Sequence, residues 1–227
     1  MHSKLRAALA TFERSELAWV ADGFAAERYV SDPSALENLV SEVEKAQAGD
    51  LDAVLRVGGG KGPFECFALA CLARHAGIGK DLIIDGIATE LPAAIAGNLV
   101  VRGPLVCTIE NWLLVAGDVQ ADMLLASADV IVGGNVRVRD GVLGVNNWCQ
   151  SMWIHGSLET PCVVVSDYAA EFGDGPEPVE LSDDAASEAL AEGFSDELRK
   201  WSEDGPDETI AQLLQRVERG QPLFRKT

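Results

Sequence analysis

The chain has 227 residues, 48% of them apolar, and sets 36 Asp and Glu against 18 Lys and Arg for a formal net charge of −18. That length suits one large domain or two small ones, and the apolar share excludes wholesale disorder. The charge argues against direct nucleic-acid binding, which needs clustered Lys and Arg; it fits either simple solubility or a basic protein partner drawn in by long-range steering.

Residues 1–80 read as a helical cap. Leu5, Leu9, Phe12 and Leu17 recur at a helical period. Asp32-Pro33 opens a second helix carrying Leu36, Leu39, Val40 and Val43, which Gly49 ends. A third is expected over Phe64–His75 with Gly77 as its C-cap. The glycine-rich stretch Gly58–Pro63 lacks the phosphate-loop spacing and is read as a connector. The start alternates charged and apolar residues without a secretory core, and no run of about 18 apolar residues appears, so the reading is a cytoplasmic protein with no membrane contact.

Residues 81–168 carry an internal repeat. Aligned on Gly97, Gly117, Gly134 and Gly156, the following residue is Asn98, Asp118, Asn135 or Ser157. Two places after the glycine stand Leu99, Val119, Val136 and Leu158. Two before it stand Ile95, Val115, Val132 and Ile154, and four before it Ala93, Leu113, Val130 and Met152. Strand side chains alternate faces, so these apolar columns share one side, and Gly-Asx is turn chemistry with cheap access to positive φ. Each repeat is then strand, corner, strand, and stacking repeats buries what one repeat cannot. The predicted fold is α+β: a short parallel β-solenoid (β-helix) flanked by N-terminal and C-terminal helical segments. Outward columns are mostly polar (Gln120, Arg137, Glu159; Arg102, Asp122, Arg139), but Ala94, Leu114, Ile131 and Trp153 form an apolar one that needs cover, from the chain's own helices or from a partner.

Residues 169–227 read as an acidic linker and C-terminal helices. From Asp167 through Glu197 there are eleven Asp or Glu and no Lys or Arg. A Pro- and Gly-bearing linker spans Gly173–Pro178, Ser182 is the expected N-cap of a helix to about Ala191, and a last helix carries Ile210, Leu213, Leu214 and Val217 and stops at Gly220.

The apolar-x-Gly-(Asn/Asp)-apolar segments Ile95–Leu99, Val115–Val119 and Val132–Val136 resemble the bactofilins, polymer-forming bacterial β-solenoids. The long helical flanks are closer to solenoid immunity-type proteins of bacterial polymorphic toxin systems. That likeness implies an immunity protein that binds and neutralises a cognate toxin; the acidic charge adds the expectation of a toxin that is basic or acts on nucleic acid or nucleotides, bound as a monomer or 1:1 complex. The bactofilin likeness implies instead a scaffold polymerising end to end.

No catalytic constellation is expected, and no cofactor or metal. The chain has no Gly-x-Ser-x-Gly, HExxH or CxxC, and its repeat intervals are not the multiples of six that a hexapeptide acyltransferase uses. His2, His75 and His155 read as terminal, helix-capping and surface residues, and the five cysteines as buried reduced thiols. The candidate partner-binding residues are Trp112, Trp148 and Trp153, as aromatic anchors, and Asp183, Asp184, Glu188 and Glu192, as an acidic strip able to plug a basic cleft. The alternatives are tryptophans packed beneath flanking helices and a solvated helix face.

Overall fold

The structure is a computed structural model; it describes Ala7, Phe67 and residues 70–71, 73–77, 79–89, 91, 94–108, 112–145, 150–204 and 206–225. The first two expected helices (apart from helical Ala7), the Gly58–Pro63 connector, and column member Ala93 lie outside the described residues. Its strands build a parallel β-solenoid of about 5 turns with a few helices.

In chain order the strands are β1 (Leu82–Asp85), β2 (Leu99–Arg102), β3 (Pro104–Cys107), β4 (Leu113–Val115), β5 (Val119–Ala121), β6 (Met123–Ala126), β7 (Val130–Val132), β8 (Val136–Val138), β9 (Val142–Val145), β10 (Ser151–Glu159), β11 (Val163–Ser166), β12 (Ala169–Asp174) and β13 (Val179–Glu180). The helices that follow are α1 (Asp184–Ala189), α2 (Phe194–Asp204) and α3 (Pro206–Glu218).

The chain divides into two compact units. The first holds Met1–Leu82, Leu91–Leu99 and Leu114–Asp118. Here Phe67, Ala70, Cys71 and Ala73–His75 are helical, and Gly77, at φ +69°, gives its N–H to the Arg74 carbonyl at 2.9 Å, the expected C-cap. Ile95 bridges Val115 in parallel, and the Leu99 N–H donates to the Asp118 carbonyl at 2.9 Å.

The second unit holds Ile83–Glu90, Val100–Leu113 and Val119–Thr227. In it β5, β8 and the second half of β10 stand side by side, pairing Val119 with Val136 and Val136 with Leu158. A second sheet runs β13-β11-β9-β6-β3, and the first half of β10 lies between β7 and β12. Each of these pairings is parallel, so a full turn of chain contributes three strands, as β7, β8 and β9 do.

The third strand of each turn is the element that the repeat columns leave out. Its inward ladder is Leu105–Leu124–Val142–Val163, and its outward ladder is Val106–Leu125–Leu143–Val164–Val179. Both ladders are apolar because the outer one is roofed by the C-terminal helices. Val106, Leu125, Leu143 and Val164 share one buried cluster with Leu190, Phe194, Leu198, Trp201, Leu213 and Val217. Phe194, Leu198 and Trp201 fall on one stripe of α2, and Ile210, Leu213 and Val217 on one stripe of α3. Each such side chain, fully buried, contributes roughly 1.5–3 kcal/mol. α3 stops as its sequence dictates: Gly220 sits at φ +67° and its N–H reaches the Val217 carbonyl at 2.9 Å. The chain then returns as a short antiparallel clasp, with Arg225 N–H on Ala189 O at 3.0 Å and Ala191 N–H on Leu223 O at 3.1 Å. The apolar outward column is buried at Ala94, Leu114 and Ile131 and half-buried at Trp153.

Gly97, Gly117 and Gly156 are not in positive φ; glycine is required there by the contact between successive turns. A Cβ on Gly97 would overlap the Lys80 carbonyl, one on Gly117 the Gly97 carbonyl, and one on Gly156 would lie 2.7 Å from the Gly134 carbonyl. The expected linker is also partly strand, since β12 and β13 continue the sheets across Ala169–Asp174 and Val179–Glu180.

Gly156→Ala is therefore expected to destabilise by about 1–3 kcal/mol through overpacking against a backbone that cannot yield. Gly173→Ala, whose nearest backbone oxygen is 3.1 Å away, should cost clearly less; urea melts of the two variants give the comparison. Leu143→Ala removes a fully buried side chain shared by sheet and helices and is expected to cost ~2–5 kcal/mol in the same measurement.

Candidate functional site at the acidic end of the solenoid

Residues after β11 build the last turn. Asp167 takes φ +50°, a left-handed conformation that Asp tolerates better than most residues, and turns the chain from β11 into β12. Tyr168 fixes the start of β12: its ring lies against Gly144 and its hydroxyl donates to the Ala128 carbonyl at 2.8 Å. Burial, with Cys107 and Asp129 nearby, pushes that hydroxyl well above the ordinary tyrosine range, so it stays a donor. β12 then runs beside β10, pairing Ser151 with Ala169, Trp153 with Glu171 and Ser157 with Asp174. Ala169, Glu171, Gly173 and Asp174 are exposed, while Ala170 and Phe172 are half-buried.

The predicted acidic residues gather around α1. Asp183, rather than Ser182, occupies the N-cap, in extended conformation and without a side-chain capping bond. Asp184 lies in the first turn, where a carboxylate suits the helix dipole, and Glu188 is four residues on, on the same face. Glu192 follows the helix, and all four are exposed. Arg199 of α2 holds this short helix in place, giving hydrogen bonds to the Leu181 carbonyl at 3.2 and 2.9 Å and to the Ser187 hydroxyl at 2.9 Å.

The tryptophans lie on other elements. Trp153 is half-buried on β10, between Ile131 of β7 and Glu171 of β12. Trp112 is half-buried just ahead of β4, and Trp148 lies outside the described residues. Of the seven candidates the structure thus brings together Asp183, Asp184 and Glu188, with Glu192 close behind in sequence, and sets Trp153 one strand in from β12. His75 and His155 are exposed.

Two features have no local signal in the sequence. The outer side of β1, β2, β5 and β8 is laced by ion pairs between turns: Arg102 with Asp85 at 2.9 Å, Arg139 with Asp122 at 2.9 Å, and Arg137 with Glu159. The guanidinium of Arg137 lowers the Glu159 carboxyl by hydrogen bond and charge. The second feature is a groove of about 560 Å³ floored by Met123, Val217, Leu223 and Phe224 and flanked by Asp122, Arg139, Asp140 and Arg225. The outward columns held Asp122 and Arg139, but the residues facing them come from beyond Gly220, a pairing with no local signal.

Among the described residues no three His, Cys, Asp or Glu side chains assemble as a cation site, and no helix is long and apolar enough to cross a membrane. No family model, no curated protein and no solved structure matches the chain.

The described thiols divide by burial, which pushes Cys107 up to about 12 and Cys71, against the opposing charge of Arg74, also up to about 12. Cys162 is only half-buried and is raised by the same cause. Since the thiolate is the nucleophile, iodoacetamide at pH 8 is expected to label Cys162 well before Cys71 or Cys107, as read by peptide mass mapping.

Proposed function

We propose that the protein is a non-catalytic binding scaffold and that its partner is a cognate bacterial toxin, which it binds and neutralises. The observation that supports this most directly is the fixed placement of like charge. Of the eleven carboxylates in the run Asp167–Glu197, which has no Lys or Arg, seven stand on β12, β13, α1 and the start of α2, and the other four in the short connections between them. A solvated tail of the same composition would lose conformational freedom on binding. Carboxylates held on strands and a clamped helix lose less, so more of the contact energy appears as affinity. A negative surface also raises the encounter rate with a positive one, by an amount that falls steeply with salt. Protection then follows from occupancy: the acidic end sits over the toxin's basic cleft and keeps its substrate out.

Co-expression with the product of the neighbouring toxin gene should rescue growth. Changing Asp183, Asp184, Glu188 and Glu192 together to Lys should slow association with that toxin at least tenfold at low salt and abolish rescue. Full rescue by the variant would place the contact elsewhere; failure of the unaltered protein to bind the toxin would remove the reading.

A second reading, a scaffold that polymerises end to end, is favoured by one observation. The first turn leaves two large apolar side chains in solvent, Ile83 at 57% and Ile87 at 39% exposure. Filaments in electron micrographs of the purified chain would support it, and a monomer at all concentrations would not.

A further inference from the structure

The two sheets that reach the acidic end finish differently. β13, the last strand of the five-stranded sheet, has Val179 packed into the cluster beneath the helices. β12, the last strand of the other, pairs with β10 on one side, and among the described residues no strand lies on its other side. Its six residues are extended, its outward positions are exposed, and it is held from behind by β10 and by Tyr168. Such an edge presents a row of backbone N–H and C=O groups spaced for another strand.

We propose that this edge is a strand-addition site, and that its occupant is an extended basic segment of the protein partner. The proposal rests on the binding-scaffold reading and names the chemistry of what is bound. Backbone pairing supplies affinity without regard to sequence, and side chains on alternate positions supply selection. Here selection is by charge. Asp167, Glu171, Asp174, Glu177 and Glu180 follow one another along β12 and its flanks, with no Lys or Arg among them. A strand carrying Lys or Arg on alternate positions would set one of those cations against Glu171 on the exposed face of β12, while exposed Asp174 at the strand's end adds to the negative field. A second copy is a poor occupant for the same reason. Its β12 brings the same five carboxylates. Like charges on directly opposed strands are destabilising. Trp153, one strand in from the edge and paired with Glu171, extends the site on its outer face.

The test uses the full chain and a blocked octapeptide alternating Lys and Val. It should bind by calorimetry and slow hydrogen exchange across 169–174. A fully N-methylated version keeps the charge and lacks every backbone donor; it should bind at least tenfold more weakly, as should an alternating Glu–Val peptide. The exposed substitutions Glu171→Gln and Asp174→Asn should weaken the Lys–Val peptide three- to tenfold with the circular dichroism unchanged. Equal binding of the methylated peptide would mean that charge alone attracts it, and would overturn the proposal. So would binding without protection of 169–174, no binding at all, or sedimentation showing that copies of the chain occupy the edge. Rescue of growth by the unaltered protein, with no peptide on β12, would leave the scaffold reading standing and remove only this site.

Discussion

Everything in the solenoid depends on how closely one turn of chain can lie on the next. At the corners there is no room for a Cβ: one on Gly156 would lie 2.5 Å from the Asn135 side-chain oxygen and 2.7 Å from the Gly134 carbonyl, and one on Gly117 would overlap the Arg74 guanidinium and the Gly97 carbonyl. No side chain fits there, and the next residue turns that proximity to use. The side-chain oxygen of Asn98 accepts the Asp118 N–H at 3.0 Å, and that of Asn135 accepts the N–H and hydroxyl of Ser157, both at 3.0 Å. Backbone donors at the exposed corner are thereby bonded to the side chain of the turn before. A glycine followed by a short polar side chain is thus one device with two parts, one permitting contact and the other bonding across it.

Register set at the corners decides what the strands show. With successive turns stacked in parallel, like positions become ladders, so the sequence of any one turn is repeated up a whole face. The ladder Val106–Leu125–Leu143–Val164 makes one outer face apolar from end to end, and an apolar sheet face in water has to be covered. The C-terminal helices are that cover. Arg216 shows how closely they are tied: it stacks 4.5 Å over the Phe194 ring, pairs with Glu197 at 2.9 Å, and donates to the Pro222 carbonyl at 3.2 Å. One side chain from α3 thereby joins α2, its own helix and the returning tail.

The corners were legible in the sequence because they recur in a fixed polar-apolar grammar, and the strands on either side of them because they alternate. The third strand of each turn was not. Met123–Ala126 and Val142–Val145 are buried on both faces and read as uninterrupted apolar runs, which carry no periodicity to distinguish them from helix or core loop. β12 was read as the entry to a linker because its glycine and its acids are turn-formers by composition; only pairing with β10 makes them strand. α2 was missed for a related reason. Phe194, Leu198 and Trp201 form only a short stripe directly after Gly193, at φ +74°, and three apolar positions in a run of charged residues carry too little periodicity to mark a helix. At the site, the acids around Asp183 were found from sequence. The groove beside Arg139 and the open edge of β12 were not, since each depends on residues brought together only by the fold.

The acidic end has a physical logic that does not need two separate explanations for solubility and for binding. A solenoid must stop, and where it stops it leaves a strand with unspent hydrogen bonds. That strand is a hazard to the protein itself, because the surface most complementary to an open parallel edge is another open parallel edge. Exposed Glu171 and Asp174 place like charge where an identical edge would have to pair, an arrangement that is destabilising between directly opposed strands. Repulsion of this kind is selective and not general: it rejects acidic and identical edges and leaves basic ones admitted. On the strand-addition proposal, the side chains that disfavour an identical edge are the ones that select a basic strand, and the net charge of −18 would act at the acidic end as a filter.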